Sequence, residues 1–130
     1  MRFASDSRMT YARLALGKYG EQLACEELAR RGYHVLATGY RTKSGELDIV
    51  AQDKEYLVFV EVKARQGGSF GDPEEAVTLQ KQRKLVWMAT DYLARNGLSD
   101  VPCRFDVVGI DTDITPPRVT VIPDAFRPGW

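Results

Sequence analysis

Gly45-Glu46-Leu47-Asp48-Ile49-Val50-Ala51-Gln52 and, three residues later, Tyr56-Leu57-Val58-Phe59-Val60-Glu61-Val62-Lys63 form the stretch whose reading decides the fold. Both halves are rich in β-branched and aromatic residues, and a short polar segment containing Lys54-Glu55 separates them, so they read as two strands, over 46–52 and 56–63, of one antiparallel hairpin. Side chains alternate along a strand, so Glu61 and Lys63 share one face while Val58, Val60 and Val62 pack inward on the other. Asp48 stands opposite Glu61 only if the turn is Lys54-Glu55, a four-residue loop over 53–56, or a bulge. A three-residue loop without a bulge sends Asp48 to the wrong face.

Outward from this hairpin, Leu14, Leu23, Ala24 and Leu28 recur at helical spacing over 10–31, and Gly32 stands where a C-terminal cap belongs. A short strand follows over 33–39. After the hairpin, residues 66–71 hold three glycines and read as a flexible loop. Asp72-Pro73-Glu74-Glu75 is a strong helix start, and Leu85, Ala89, Tyr92 and Leu93 supply the buried stripe of a helix ending near Gly97. That helix either runs unbroken from Asp72 or restarts at Thr78. Strands over 104–110 and 119–122, separated by a turn with Pro116-Pro117, complete the set. The expectation is an α/β domain in the order αβββαββ, a central mixed sheet of about five strands flanked by helices, with residues 1–9 as a flexible tail and 10–130 as a single domain.

A chain of 130 residues buries a core without disulfides or structural metal. Eighteen basic residues balance eighteen acidic ones, so no global positive field attracts nucleic acid and any polyanion must be gripped by a local patch. Cys25 and Cys103 have no neighbours at metal-ligand spacing and read as reduced core cysteines. The N-terminus lacks a signal-peptide pattern, and the longest apolar run, 56–60, is too short to span a bilayer, so no membrane association and a cytoplasmic location are expected.

Two carboxylates and an amine within reach of each other are what a metal-dependent phosphodiesterase needs. Asp48 and Glu61 offer hard oxygen ligands to a divalent cation such as Mg²⁺ or Mn²⁺, and Lys63 faces the charge that develops on a phosphate. The bland alternative is a cross-strand ion pair at an open sheet end. Glu46 reads as a solvated residue or a partner for Arg41 or Lys43. Glu21 follows Gly17 and Gly20, glycines that allow the first helix to approach the sheet closely; it is either an exposed helix glutamate or a further carboxylate at the cation.

Arg41, Lys43, Arg65, Lys81, Arg83 and Lys84 cluster around the hairpin in sequence and are candidate nucleic-acid contacts, with Gln80 and Gln82 placed to reach backbone or metal-bound water. If the helix restarts at Thr78, its three cations sit near its positive end, a placement that suits phosphates; if it runs unbroken they are a solvated face. His34 reads as structural, Trp87 as core and Trp130 as a tail anchor.

At Leu47-Asp48 and Glu61-Val62-Lys63 the sequence resembles the PD-(D/E)xK nuclease superfamily, with leucine where that pattern has proline. More closely it is similar to the YraN-like family of bacterial proteins, through Gly17-Lys18-Tyr19-Gly20-Glu21, Gly45 to Val50, Phe59 to Lys63, Lys81-Gln82 and Arg104-Phe105-Asp106-Val107-Val108. The resemblance implies the restriction-endonuclease-like fold seen in archaeal Holliday-junction resolvases. It implies Glu21, Asp48, Glu61 and Lys63 as catalytic residues, the three acids as metal ligands, Mg²⁺ or Mn²⁺ as cofactor, and a homodimer. The substrate it implies is structured or branched DNA, rather than RNA, cut by endonuclease action. The rival expectation is a catalytically inactive nucleic-acid-binding or protein-interaction module that keeps the fold. Asp106 belongs to the pattern without an assigned role.

Overall fold

The structure, a computed structural model, describes residues 17–65 and 77–128. The expected tail over 1–9, the beginning of the first helix, the glycine loop over 66–71, the Asp72-Pro73 helix start, the Arg65 side chain and Trp130 lie outside the described residues. Helix α1 is seen over 17–30; it is followed by β1 (His34–Thr42), β2 (Gly45–Asp53), β3 (Tyr56–Arg65), α2 (Leu79–Arg95), β4 (Cys103–Asp111) and β5 (Arg118–Phe126). The five strands form one open sheet in sequence order, antiparallel except where β3 and β4 run parallel. The α/β class and the αβββαββ order agree with the sequence reading, with longer strands than expected.

The order of the sheet follows from its connections. Short turns give antiparallel neighbours, whereas the parallel β3–β4 pair needs a crossover, which includes α2. Such a crossover covers one sheet face, and α1 covers the other. Leu57, Phe59, Phe105 and Val107 pack with Leu85, Met88, Ala89 and Tyr92 of α2. Val58, Val60, Val108 and Ile110 pack with Ala24 and Leu28 of α1. This two-sided burial explains why β3 is apolar at both parities before Glu61. Gly20 brings α1 close: a Cβ there would meet the Ala64 Cβ at 3.3 Å. Gly17 has open space and plays no such part.

Thr78 settles how the second helix begins. Its extended backbone (ψ 163°) excludes a helix running through it, and its hydroxyl accepts the Lys81 N–H, so α2 starts at Leu79. Trp87 is 64% exposed on α2, not core, because it lies off the Leu85–Met88–Tyr92 stripe. His34 is exposed as well. Cys25 and Cys103 are free, half-buried thiols at the rims of opposite core layers, and burial pushes both thiol pKa values up. Among the described residues no helix is long and apolar enough to cross a membrane.

Asp106 gains a structural role. It is 1% exposed, and a carboxylate so deep survives only if fully satisfied. Its Oδ1 accepts from Arg104 Nε and the Asp124 N–H, both at 2.9 Å, and its Oδ2 from Tyr33 Oη at 2.7 Å and Arg104 Nη2 at 2.9 Å. Arg104 also reaches Asp53 at 3.0 Å and lies over the rings of Tyr33 and Tyr56. One charge cluster thereby ties β2, β4, the start of β1 and a backbone irregularity in β5 together. Asp106→Ala strands the half-enclosed guanidinium, and urea unfolding should show a loss of about 3–5 kcal/mol. A loss below about 1 kcal/mol would mean the cluster is ornamental to stability.

Candidate functional site

The β2–β3 ladder starts at Asp53↔Tyr56, so the turn is the two-residue Lys54-Glu55 pair, with Lys54 at the left-handed φ of 56° that such turns require. The ladder runs to Ile49↔Val60 and stops there. Beyond that point β2 continues paired with β1 alone, and β3 with β4 alone. The sheet therefore forks between Asp48 and Glu61. Strand alternation also breaks here: Leu47 packs in the α2 layer while Ile49 packs in the α1 layer. Gly39, at φ 58°, lies across from this irregularity in β1.

At the fork the Asp48 side chain replaces the missing ladder bond. Its Oδ2 accepts the Val62 N–H at 2.8 Å, which fixes the carboxyl between the strands. Burial raises its pKa, and a hydrogen bond to Glu61 together with the charge of Glu61 raises it further, pushing it up to about 8; the Val62 N–H works in the opposite direction. The half-buried Asp48 carboxyl therefore sits at the fork beside the buried Glu61. The two-residue turn gives the register under which Asp48 would face Glu61, but the ladder ends one pair short of them.

Glu61 is 6% exposed and faces the layer covered by α2. Two ammonium groups address its Oε2: Lys81 Nζ at 2.7 Å and Lys63 Nζ at 3.9 Å. Neither contact has aligned hydrogen-bond geometry, so charge holds this buried oxygen, chiefly the close ion pair with Lys81. Burial, then the neighbouring Lys81, lowers the pKa of Lys63. Lys81 goes the other way: burial opposes its charge, but the hydrogen-bonding and charge influence of Glu61 outweighs that and raises its pKa.

The other sequence candidates fall into different places. Glu21 is half-buried on α1, and burial followed by the charge of Glu46 raises its pKa. Its own charge reaches Asp48. Yet among the described residues no three His, Cys, Asp or Glu side chains converge tightly enough to form a metal-binding group, so Glu21 stands near the pair without completing a triad. Glu46 is exposed and pairs with Arg41 at 3.6 Å. Lys43 lies in the exposed β1–β2 turn. Lys84 lies over Gly45, where a Cβ would come within 3.0 Å of its Cε. Gln82 donates to the Val77 carbonyl at 3.1 Å and Gln80 is exposed. Arg83 points elsewhere, into a groove of about 390 Å³ with Leu79, Trp87 and Arg127.

The contact sequence reasoning missed is Lys81 against Glu61. The sequence makes Lys81 a candidate phosphate contact or part of a solvated face, although the stripe of Leu85, Met88 and Tyr92 extends back one helical turn to position 81. Reading that stripe to the helix start would have placed this cation over the sheet.

The pair fits a hard divalent cation on the chemistry of its donors: two carboxylates held at a sheet fork, one with a buried oxygen that only ammonium groups address.

A profile of the uncharacterised protein family UPF0102 matches residues 20–110, and the chain belongs to that family. A UPF0102 protein of Symbiobacterium thermophilum is 52% identical over 96 residues, 74% of this chain and 81% of that relative. One from Syntrophotalea carbinolica is 46% identical over 123 residues, 94% of this chain and all of the relative. One from Dehalococcoides mccartyi is 41% identical over 118 residues, 91% of this chain and 98% of the relative. Every element that builds the fork lies within the matched segment.

The raised pKa of Asp48 has a consequence for stability. Its folded value of about 8 lies above the ordinary 3.8, so the folded state holds a proton the unfolded chain gives up. The associated stabilisation is complete at low pH and is lost as pH rises through about 8. Thermal melting of metal-free protein should therefore show Tm falling between about pH 5 and pH 8.5, and Asp48→Asn should flatten that slope. An unchanged slope in the variant would assign the dependence to another group.

Proposed function

We propose that this UPF0102 protein is a divalent-cation-dependent endonuclease that hydrolyses phosphodiester bonds in structured or branched DNA, with a site of the PD-(D/E)xK type on a restriction-endonuclease-like fold. One observation carries the reading: Asp48, fixed at a sheet fork by the Val62 N–H, stands beside the buried Glu61, with a lysine from the same strand 3.9 Å from that acid. A purely structural ion pair has no need of a second acid, and a like-charged neighbour in a buried place is a cost. Function accounts for retaining it.

In this reading Asp48 and Glu61 hold Mg²⁺ or Mn²⁺, and Glu21 assists from α1. The bound cation would polarise water and offset charge on the phosphate. The residues do the remaining work. Asp48, whose pKa is raised, must give up its proton before it binds a cation, which couples loading of the site to pH. The Val62 N–H keeps the Asp48 carboxyl in place throughout. Lys63 sits with its side chain 27% exposed, enough to face a phosphate while its stem stays anchored on β3. Its ammonium stabilises the charge that builds on the phosphoryl oxygens. Lys84, against Gly45 at the start of β2, and the exposed Lys43 and Arg41 suit backbone phosphates in this reading. A homodimer and a cytoplasmic setting belong to the same proposal.

An assay on branched and linear DNA with Mg²⁺ or Mn²⁺ tests it. Lys63→Ala and Asp48→Asn should each lower cutting by about a hundredfold or more while circular dichroism stays unchanged. Undiminished cutting by either variant rejects the assignment.

A further inference from the structure

We propose that Lys81 is a resident counter-cation of Glu61, competing with the divalent ion for Oε2, so that its displacement sets how tightly the site binds metal. The inference rests on the metal-site reading above and adds a residue that acts on the ion's affinity rather than on the reaction.

The argument begins with the arrangement of charge. Glu61 Oε2 is buried and has two ammonium neighbours, of which Lys81 at 2.7 Å is much the nearer. At that distance the contact is a full ion pair, yet it lacks an aligned hydrogen bond. A coulombic contact without directional bonding exchanges readily for a stronger charge on the same oxygen.

Among the described residues, Glu61 is the one acid in a salt bridge with Lys81. Lys81 lies in the first turn of α2, where the partial positive charge of the helix end opposes a cation, and that turn contains no acid. Its base, by contrast, is fixed. Thr78 Oγ1 accepts the Lys81 N–H at 3.2 Å, the Gln82 N–H donates to the Thr78 carbonyl at 2.8 Å, and Gln82 Nε2 donates to the Val77 carbonyl at 3.1 Å. The backbone is pinned while the side chain, 40% exposed, has solvent into which to swing. Lys63 differs on each count: it rises from the central strand, is less exposed, and stands farther from Oε2. Lys81 is therefore the ammonium that leaves and Lys63 the one that stays.

Isothermal titration of the full chain with Mn²⁺ alone tests this. Lys81→Met should tighten Mn²⁺ binding by about tenfold or more, Lys81→Gln similarly, and Lys63→Met by less. Arg83→Met removes a first-turn cation that faces away from Glu61 and should change affinity by less than about threefold. In a Glu61→Gln background the gain from Lys81→Met should vanish. If Lys81→Met and Lys81→Gln, folded by circular dichroism, bind Mn²⁺ no more tightly than wild type, the proposal is overturned while the nuclease reading stands. If neither wild type nor Lys81→Met takes up Mn²⁺ at millimolar concentration, both readings fall.

Discussion

The hydrogen bond from the Val62 N–H to Asp48 Oδ2 is the interaction on which the site depends. Where β2 and β3 separate, each strand loses its partner on one side, and an N–H left unpaired at that depth is costly. A carboxyl oxygen takes the place of the missing carbonyl. This single bond closes the end of the ladder and draws an acid into the sheet beside Glu61. Structural satisfaction and the chemistry of the site are thus served by the same atom. The raised pKa of Asp48 follows, because a carboxyl placed there is both removed from water and set against another acid.

The molecule treats its two buried acids in opposite ways. Asp106 is surrounded by donors: both its oxygens are used, by a guanidinium, a phenol and a backbone N–H. Those neighbours respond in kind. The hydrogen bonds of Asp106 push the pKa of Arg104 up, and burial followed by the bond to Asp106 raises that of Tyr33. Glu61, nearly as deep, is left with an oxygen that has charge around it but no aligned donor. One acid is a finished structural joint on the α1 side of the sheet. The other, one residue along the parallel register on the α2 side, is arranged to accept something more.

Much of this was readable from residues. The hairpin, the two-residue turn at Lys54-Glu55 as one of three permitted closures, and the amphipathic stripe of α2 all rest on local periodicity and turn chemistry. Local rules failed where long-range contacts decide. Trp87 looks apolar enough for the core, but it lies off the side of α2 that meets the sheet. Asp106 gave no hint of its bonds, since Tyr33 is 73 positions away in sequence. The fork itself was invisible, because nothing in Leu47-Asp48-Ile49 shows where a ladder ends.

By itself the sequence determined the alternation that builds the strands, the buried stripe of α2, and the presence of two acids and a lysine on adjacent segments. These are properties of neighbouring residues, and backbone geometry fixes them. Only the tertiary structure decided that β3 pairs in parallel with β4, that the ladder opens at Asp48, and that Lys81 comes down from α2 onto Glu61. Such contacts depend on how a helix crosses a sheet, and that crossing is set by packing two apolar layers at once rather than by any one segment.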